Sequence, residues 1–221
     1  MGRAALTREL ARATIKRSAA VLDAGCGNGA VLAGLEADGY RMVGIDLLGP
    51  GLSRVGRRLP GAWVARAAVD RLPFGDETFD AAVLLDVLEH VDDRAALAAV
   101  RRVLRPRGVL IASVPAGPRL WSYRDRDAGH LRRYTKASLR ALLEGSGFAV
   151  QRLRPYHALL LPVLALTRLL GRHGPALRDL EERPSPLVNR ILGAVTRAEL
   201  ALGRRIPPPL GSSLFVVGAK R

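Results

Sequence analysis

Val21-Leu22-Asp23-Ala24-Gly25-Cys26-Gly27-Asn28-Gly29, followed by Gly44-Ile45-Asp46, decides how the rest of this chain is read. A short apolar strand runs into a glycine-rich turn, and a carboxylate ends the next strand. Glycine lets a backbone turn tightly and come close to a ligand. Asp46 stands 17 residues beyond Gly29, near the place where a doubly wound sheet puts the acid that holds a ribose. The pattern is D-x-G-x-G-x-G. It departs from the G-x-G-x-x-G of dinucleotide enzymes and argues against a nicotinamide dehydrogenase.

Outward from this loop, strands and helices alternate. Ala19 to Asp23, Arg41 to Asp46, Ala62 to Ala67, Phe79 to Leu85 and Val109 to Val114 read as strands. Helices are predicted over Asn28 to Asp38, after Gly49-Pro50-Gly51 to about Leu59, and from Asp92 or Asp93 to Leu104. Arg105-Pro106-Arg107-Gly108 reads as a turn. Ala116 to Tyr134 reads as a loop or lid, Thr135 to Glu144 as a helix, and Phe148 to Leu153 and Ser212 to Ala219 as the last strands. This alternation predicts an α/β fold with a doubly wound, mostly parallel seven-stranded sheet. We expect a single domain over 1–221, with a core at about 19–155 plus 211–221 and a helical insertion at about 156–210 before the last strand. In the insertion, Leu187 to Leu202 has a helical pattern, with Leu187, Val188, Ile191, Leu192, Val195, Leu200 and Leu202 as packing positions.

The chain has 221 residues, a hydrophobic content of 48% and a net charge of +15. That suits one large domain with a real core. Lys occurs only at 16, 136 and 220, so Arg supplies nearly all of the positive charge. A strong positive field attracts phosphates, whether in RNA, anionic lipid or a small molecule. The one cysteine, Cys26, allows no internal disulfide and fits a reducing, cytoplasmic setting. Residues Met1 to Ala20 lack the continuous apolar run of a signal peptide and suit a short amphipathic helix.

The glycine loop and Asp46 resemble the first motifs of the class I S-adenosylmethionine (SAM) methyltransferases. The resemblance implies a Rossmann-like fold, SAM as cofactor and S-adenosylhomocysteine as product. It implies that the amides of Gly25, Cys26 and Gly27 approach the amino-acid end of SAM, with Gly29 completing the turn. Asp23 would reach the ammonium and Asp46, beside Leu47, the ribose. Leu72-Pro73-Phe74-Gly75-Asp76-Glu77-Thr78-Phe79-Asp80 resembles the family's L-P-F segment. Where the family often has an adenine-binding carboxylate, this chain has Ala68. Asp70, or backbone groups near Ala67 to Val69, would then serve the adenine.

Leu84-Leu85-Asp86-Val87-Leu88-Glu89-His90-Val91 resembles the V-L-E-H-V stretch after the fourth strand. It should face the cleft, with Leu85 beside the cofactor and Glu89 and His90 either catalytic or bracing the loop. Asp127-Ala128-Gly129-His130-Leu131-Arg132-Arg133-Tyr134-Thr135 resembles a G-H-x-R-R-Y-T segment of a bacterial subset acting on small molecules or lipids. There His130 would take the acceptor proton, Arg132 or Arg133 would hold a phosphate or carboxylate, and Tyr134 would close on the substrate. Trp121 and Tyr123 would stack on the acceptor or anchor the loop. Asp86, Glu89, His90 and the later His130 also resemble an E-x-x-E-H group that holds a divalent metal in some ubiquinone-biosynthesis and small-RNA methyltransferases.

The expected activity is methyl transfer to oxygen or nitrogen of a small-molecule or lipid-linked acceptor. RNA ribose methylation is an alternative, although the chain carries no D/N-P-P-Y segment and no recognisable RNA-binding module. A non-catalytic SAM-binding or membrane-associated scaffold is another. The apolar run at 156–172, flanked by Arg152, Arg154, Arg168 and Arg172, suits a lid, a homodimer seam or peripheral contact with the inner membrane face.

Overall fold

A computed structural model describes residues 2–47, 49–59, 61–159, 161–162, 186–203 and 208–221. Helix α1 (Gly2–Thr14) precedes β1 (Ala20–Ala24), α2 (Ala30–Ala37), β2 (Arg41–Asp46), α3 (Gly49–Arg58) and β3 (Trp63–Arg66). Then come β4 (Phe79–Leu85), α4 (Asp93–Val103), β5 (Leu104–Pro115), α5 (Tyr123–Asp127), α6 (Lys136–Gly145), β6 (Phe148–Tyr156), α7 (Pro186–Gly203) and β7 (Ser213–Lys220). The seven strands lie in the order β3-β2-β1-β4-β5-β7-β6. Strand β7 runs antiparallel to its neighbours, β5 and β6, and the other described strand pairs are parallel.

Side chains along each central strand alternate between two cores, as the pleat requires. Leu22, Ala82, Leu84, Leu110 and Ala112 pack with Leu97 and Val100 of α4 and Leu139 and Leu143 of α6. Val21, Met42, Ala81, Val83 and Ile111 pack with Leu6 and Leu10 of α1, Leu32 and Leu35 of α2 and Val55 of α3. Helices therefore cover both faces. Arg8 and Arg12 fasten α1 to Asp38 at the end of α2, at 2.6 and 2.5 Å.

Several elements differ from the sequence reading, among them α5, a short helix within the segment expected to be a loop. Helix α3 starts at Gly49 and takes Pro50 and Gly51 into its first turn, where proline costs no intrahelical hydrogen bond. A Cβ on Gly51 would lie 2.6 Å from the Gly27 carbonyl oxygen, so only glycine lets the helix start meet the β1 loop. Strand β5 runs from Leu104, which pairs with Phe79, but residues 105–108 bulge out before pairing resumes between Ala81 and Val109, so the expected turn lies inside the strand. Arg107, with φ +63°, absorbs the kink. In α7, the expected packing residues Leu187, Val188, Ile191 and Leu202 are exposed, and Thr196 and Glu199 are buried instead. The Glu199 carboxylate is drawn inward by the amides of Ala158 and Leu159, at 2.9 and 3.1 Å. The 175–182 stretch and most of 156–172 lie outside the described residues.

Candidate active site

The C-terminal ends of β1, β2 and β4 converge, as they must in a parallel sheet that reverses direction beside β1. Gly25, Gly27 and Gly29 have φ of +86°, +53° and +76°, a backbone region that L side chains enter at a cost. A Cβ on Gly25 would come within 2.4 Å of Val87 Cγ2, so this glycine lets the β1 and β4 loops abut. A Cβ on Gly27 would meet nothing within 4 Å. The loop therefore presents its open side at Gly27.

The loop amides expected to approach a ligand are hydrogen-bonded within the protein. Gly25 and Cys26 both donate to the Ile45 carbonyl, at 2.8 and 2.9 Å, and Gly29 donates to the Cys26 carbonyl. The Gly27 amide donates to Asp46 Oδ2 at 2.8 Å. The turn is stitched to the end of β2, and its missing side chains leave space beside it. Cys26 is buried, and burial with the nearby Asp23 and Asp46 carboxylates pushes its thiol up to about 12, so it is no nucleophile at neutral pH.

Asp23 is 2% exposed, and its Oδ2 accepts no hydrogen bond among the described residues. Burial, reinforced by the Asp46 carboxylate, pushes this carboxyl up to about 7. A buried acceptor without a donor is unfavourable, and a ligand ammonium is the kind of group that would satisfy it. Asp46 can take ribose hydroxyls in addition to the Gly27 amide, because a carboxylate has about four acceptor positions. Leu47 is 52% exposed beside it. Ala67 donates to the Asp46 carbonyl at 3.2 Å, which brings Ala68 and Val69 to the same edge. Val69 itself is buried in the core, and Leu85 is half-buried at the end of β4. These residues fit SAM.

On the other side of β4, Asp86 has φ +53°. It accepts from Ser113 Oγ at 2.8 Å and pairs with Arg3, which reaches over from α1. A 3-10 turn, Leu88–His90, follows. Glu89 is fully buried there, with neither carboxylate oxygen hydrogen-bonded among the described residues. Burial pushes it up to about 7. The Leu131 amide donates to the Glu89 carbonyl at 2.7 Å and ties the 116–134 segment to this turn. His130 thereby lies edge-on to His90, with ring centroids 4.7 Å apart. Partial burial and the neighbouring His130 lower the His90 pKa.

Asp125, which the sequence reading missed, organises the segment. It is 1% exposed and accepts from the Ser122 amide at 2.8 Å, from Arg133 Nε at 2.7 Å and from His130 Nδ1 at 3.0 Å. Burial opposes its ionisation, but the Arg133 and His130 contacts outweigh it, and its pKa lies below the ordinary value. An ionised Asp125 assigns the proton to Nδ1 of His130 and leaves Nε2 as a lone-pair acceptor. The Ser122-x-x-Asp125 spacing, a helix-capping signal, marks Asp125 as a helix-start residue but carries no sign of its burial.

Two residues expected to touch the acceptor instead brace the loop. The Arg133 side chain is 5% exposed and also donates to the Ala116 carbonyl at 2.9 Å. Tyr134 is buried, with its one hydroxyl hydrogen shared between the Leu88 carbonyl and Asp93, at 3.1 and 2.9 Å. Burial and Asp93 raise its pKa, so it stays protonated. Arg132, paired with Asp93 at 2.7 Å, and Trp121 remain partly exposed. Glu89, His90 and His130 offer one ligand atom each within 4.8 Å of one another. Asp86, the fourth residue expected there, is outside this group.

Residues 2–153 match the model of a methyltransferase domain family, and the chain belongs to that family. A Mycolicibacterium smegmatis protein named "Probable S-adenosylmethionine-dependent methyltransferase" is 35% identical over 159 residues, or 70% of this chain and 60% of its own length. A Mycobacterium tuberculosis protein of the same description is 28% identical over 190 residues, covering 82% of this chain and 64% of its own. The chain thus spans less than two thirds of these relatives. A SAM-dependent methyltransferase structure from Mesorhizobium loti superposes with a TM-score of 0.65 at 19% identity, covering 96% of both chains, and shows the shared fold.

Proposed function

We propose that this protein is a SAM-dependent methyltransferase acting on oxygen or nitrogen of a small-molecule or lipid-linked acceptor. The observation that carries this reading is the Asp125–His130 pair, held by Arg133 and Glu89 at the same sheet edge as the open glycine loop. The family and the names of the relatives support the cofactor.

When bound, SAM supplies an activated methyl group. Asp23 would hold its ammonium, Asp46 its ribose, and Leu47, Ala68, Val69 and Leu85 would flank its adenosine. His130 would take the acceptor's proton at Nε2 while Asp125 stabilises the imidazolium that forms. Arg132 and Trp121 would orient the acceptor, and positioning supplies much of the remaining rate. The test follows label from methyl-tritiated SAM into separated lipid and water-soluble extracts. Transfer by the wild type and loss in His130→Ala are expected. SAM binding without transfer into any fraction would favour the scaffold reading, and transfer abolished by ribonuclease would favour ribose methylation.

A second reading rests on the Glu89-His90-His130 cluster. Mixed oxygen and nitrogen ligands suit Mg²⁺, Mn²⁺ or Zn²⁺. Asp125 would orient His130 in the way carboxylates orient metal-bound imidazoles. An ion held there would acidify an acceptor hydroxyl and share the work of deprotonation.

A further inference from the structure

Helix α7 has its apolar side outward. At 100° per residue, Leu187, Ile191, Ala194, Ala198 and Leu202 share one stripe, and all are exposed. Leu187, Ile191 and Leu202 are 65%, 54% and 56% exposed. Arg190 and Arg197, also exposed, border that stripe on one side. The helix has one acidic residue, Glu199, and it faces inward to the amides of Ala158 and Leu159. An exposed apolar stripe edged by cations alone is the arrangement of a helix lying in an anionic lipid interface. No helix among the described residues is long and apolar enough to cross a membrane.

We infer that the outer face of α7 docks this protein on an anionic bilayer surface. Charge decides between this occupant and a second copy of the chain. A net charge of +15 opposes self-association and favours an anionic surface. The docked helix also neighbours the site described above. Its inner face meets the start of α1, where a Cβ on Gly2 would lie 2.3 Å from Thr196 Cγ2. The next residue, Arg3, pairs with Asp86. A docked α7 would thus hold the β4 loop one helix away from the lipid headgroups, which suits a lipid-linked acceptor. Docking itself requires no methyl transfer.

The test is flotation of the full chain with vesicles of phosphatidylcholine alone or mixed with phosphatidylglycerol. Binding to the mixed vesicles is expected, with little binding to phosphatidylcholine. Ile191→Asp should lower the bound fraction about tenfold or more, and the double variant Arg190→Glu/Arg197→Glu should abolish the preference for phosphatidylglycerol. Both change exposed residues, and thermal unfolding checks that each folds. Equal binding by Ile191→Asp and wild type would overturn the proposal. So would sedimentation showing a wild-type dimer that Ile191→Asp dissolves, without vesicle binding by either. Because the readout is binding, its failure leaves the methyltransferase reading intact.

Discussion

His130 Nδ1 lies 3.0 Å from a carboxylate oxygen of Asp125 that is also held by Arg133 Nε at 2.7 Å. One buried carboxylate thus fixes a histidine tautomer and anchors the segment that carries it. Asp125→Asn keeps the shape but loses the charge that stabilises an imidazolium. Removing a positioned general base typically costs about 10²–10⁴ in rate. His130→Ala should therefore lower kcat by about that factor, with SAM affinity unchanged by calorimetry. Asp125→Asn should lower kcat as well and move the pH–rate profile. Unchanged kcat in His130→Ala would remove the proposed base.

The glycines of the β1 loop separate stability from binding. Gly25→Ala drives a Cβ into Val87, and it should unfold more easily by about 2 kcal/mol in denaturant titrations. Gly27→Ala meets no atom within 4 Å. It should cost only about 1 kcal/mol of backbone strain and yet weaken SAM binding at least tenfold. Full SAM affinity in Gly27→Ala would show that the open side of the loop is not the cofactor cleft.

Asp23 and Glu89 give the protein an unusual dependence on pH. Both carboxyls are raised to about 7 in the folded chain. Their contribution is fully favourable while they are protonated, below the unfolded values near 4. It is lost as pH rises through 7. For Asp23 the shift corresponds to at most roughly 4 kcal/mol. Relative to Asp23→Asn, the wild type should lose stability between pH 4 and pH 7 and level off above. SAM, by pairing its ammonium with Asp23, should bind with proton release below pH 7. A parallel pH course for the two proteins would contradict the buried, raised carboxyl.

Tyr134→Phe distinguishes a brace from a substrate contact. Losing the hydroxyl's bonds to Leu88 and Asp93 should destabilise the fold by about 1–2 kcal/mol. KM for the acceptor should stay the same. A raised KM with unchanged stability would return Tyr134 to the substrate side.

Exhaustive chelation tests the metal reading. Activity lost on chelation, restored by Mn²⁺ or Zn²⁺ and absent in Glu89→Gln would support an ion at Glu89, His90 and His130. Unchanged activity would leave His130 as a base acting without a metal.

The sheet was legible because apolar runs such as Ala81 to Leu84 alternate with amphipathic helices. The glycine loop was legible because few backbones need three positive-φ glycines in five residues. The burial of Asp125 was not. A charged residue in a polar segment reads as solvated until the fold brings Arg133 and His130 onto it. The ion pair of Arg3 with Asp86 had no signal, since it joins the first helix to the end of β4 across the sheet. The outward stripe of α7 was misread because helical periodicity marks an apolar face without saying which side is inside.

The most direct measurement is calorimetric titration of the full chain with SAM and, separately, with NAD. One SAM should bind per chain, weakened at least tenfold by Asp46→Asn, and NAD should not bind. NAD binding without SAM binding would contradict the methyltransferase reading.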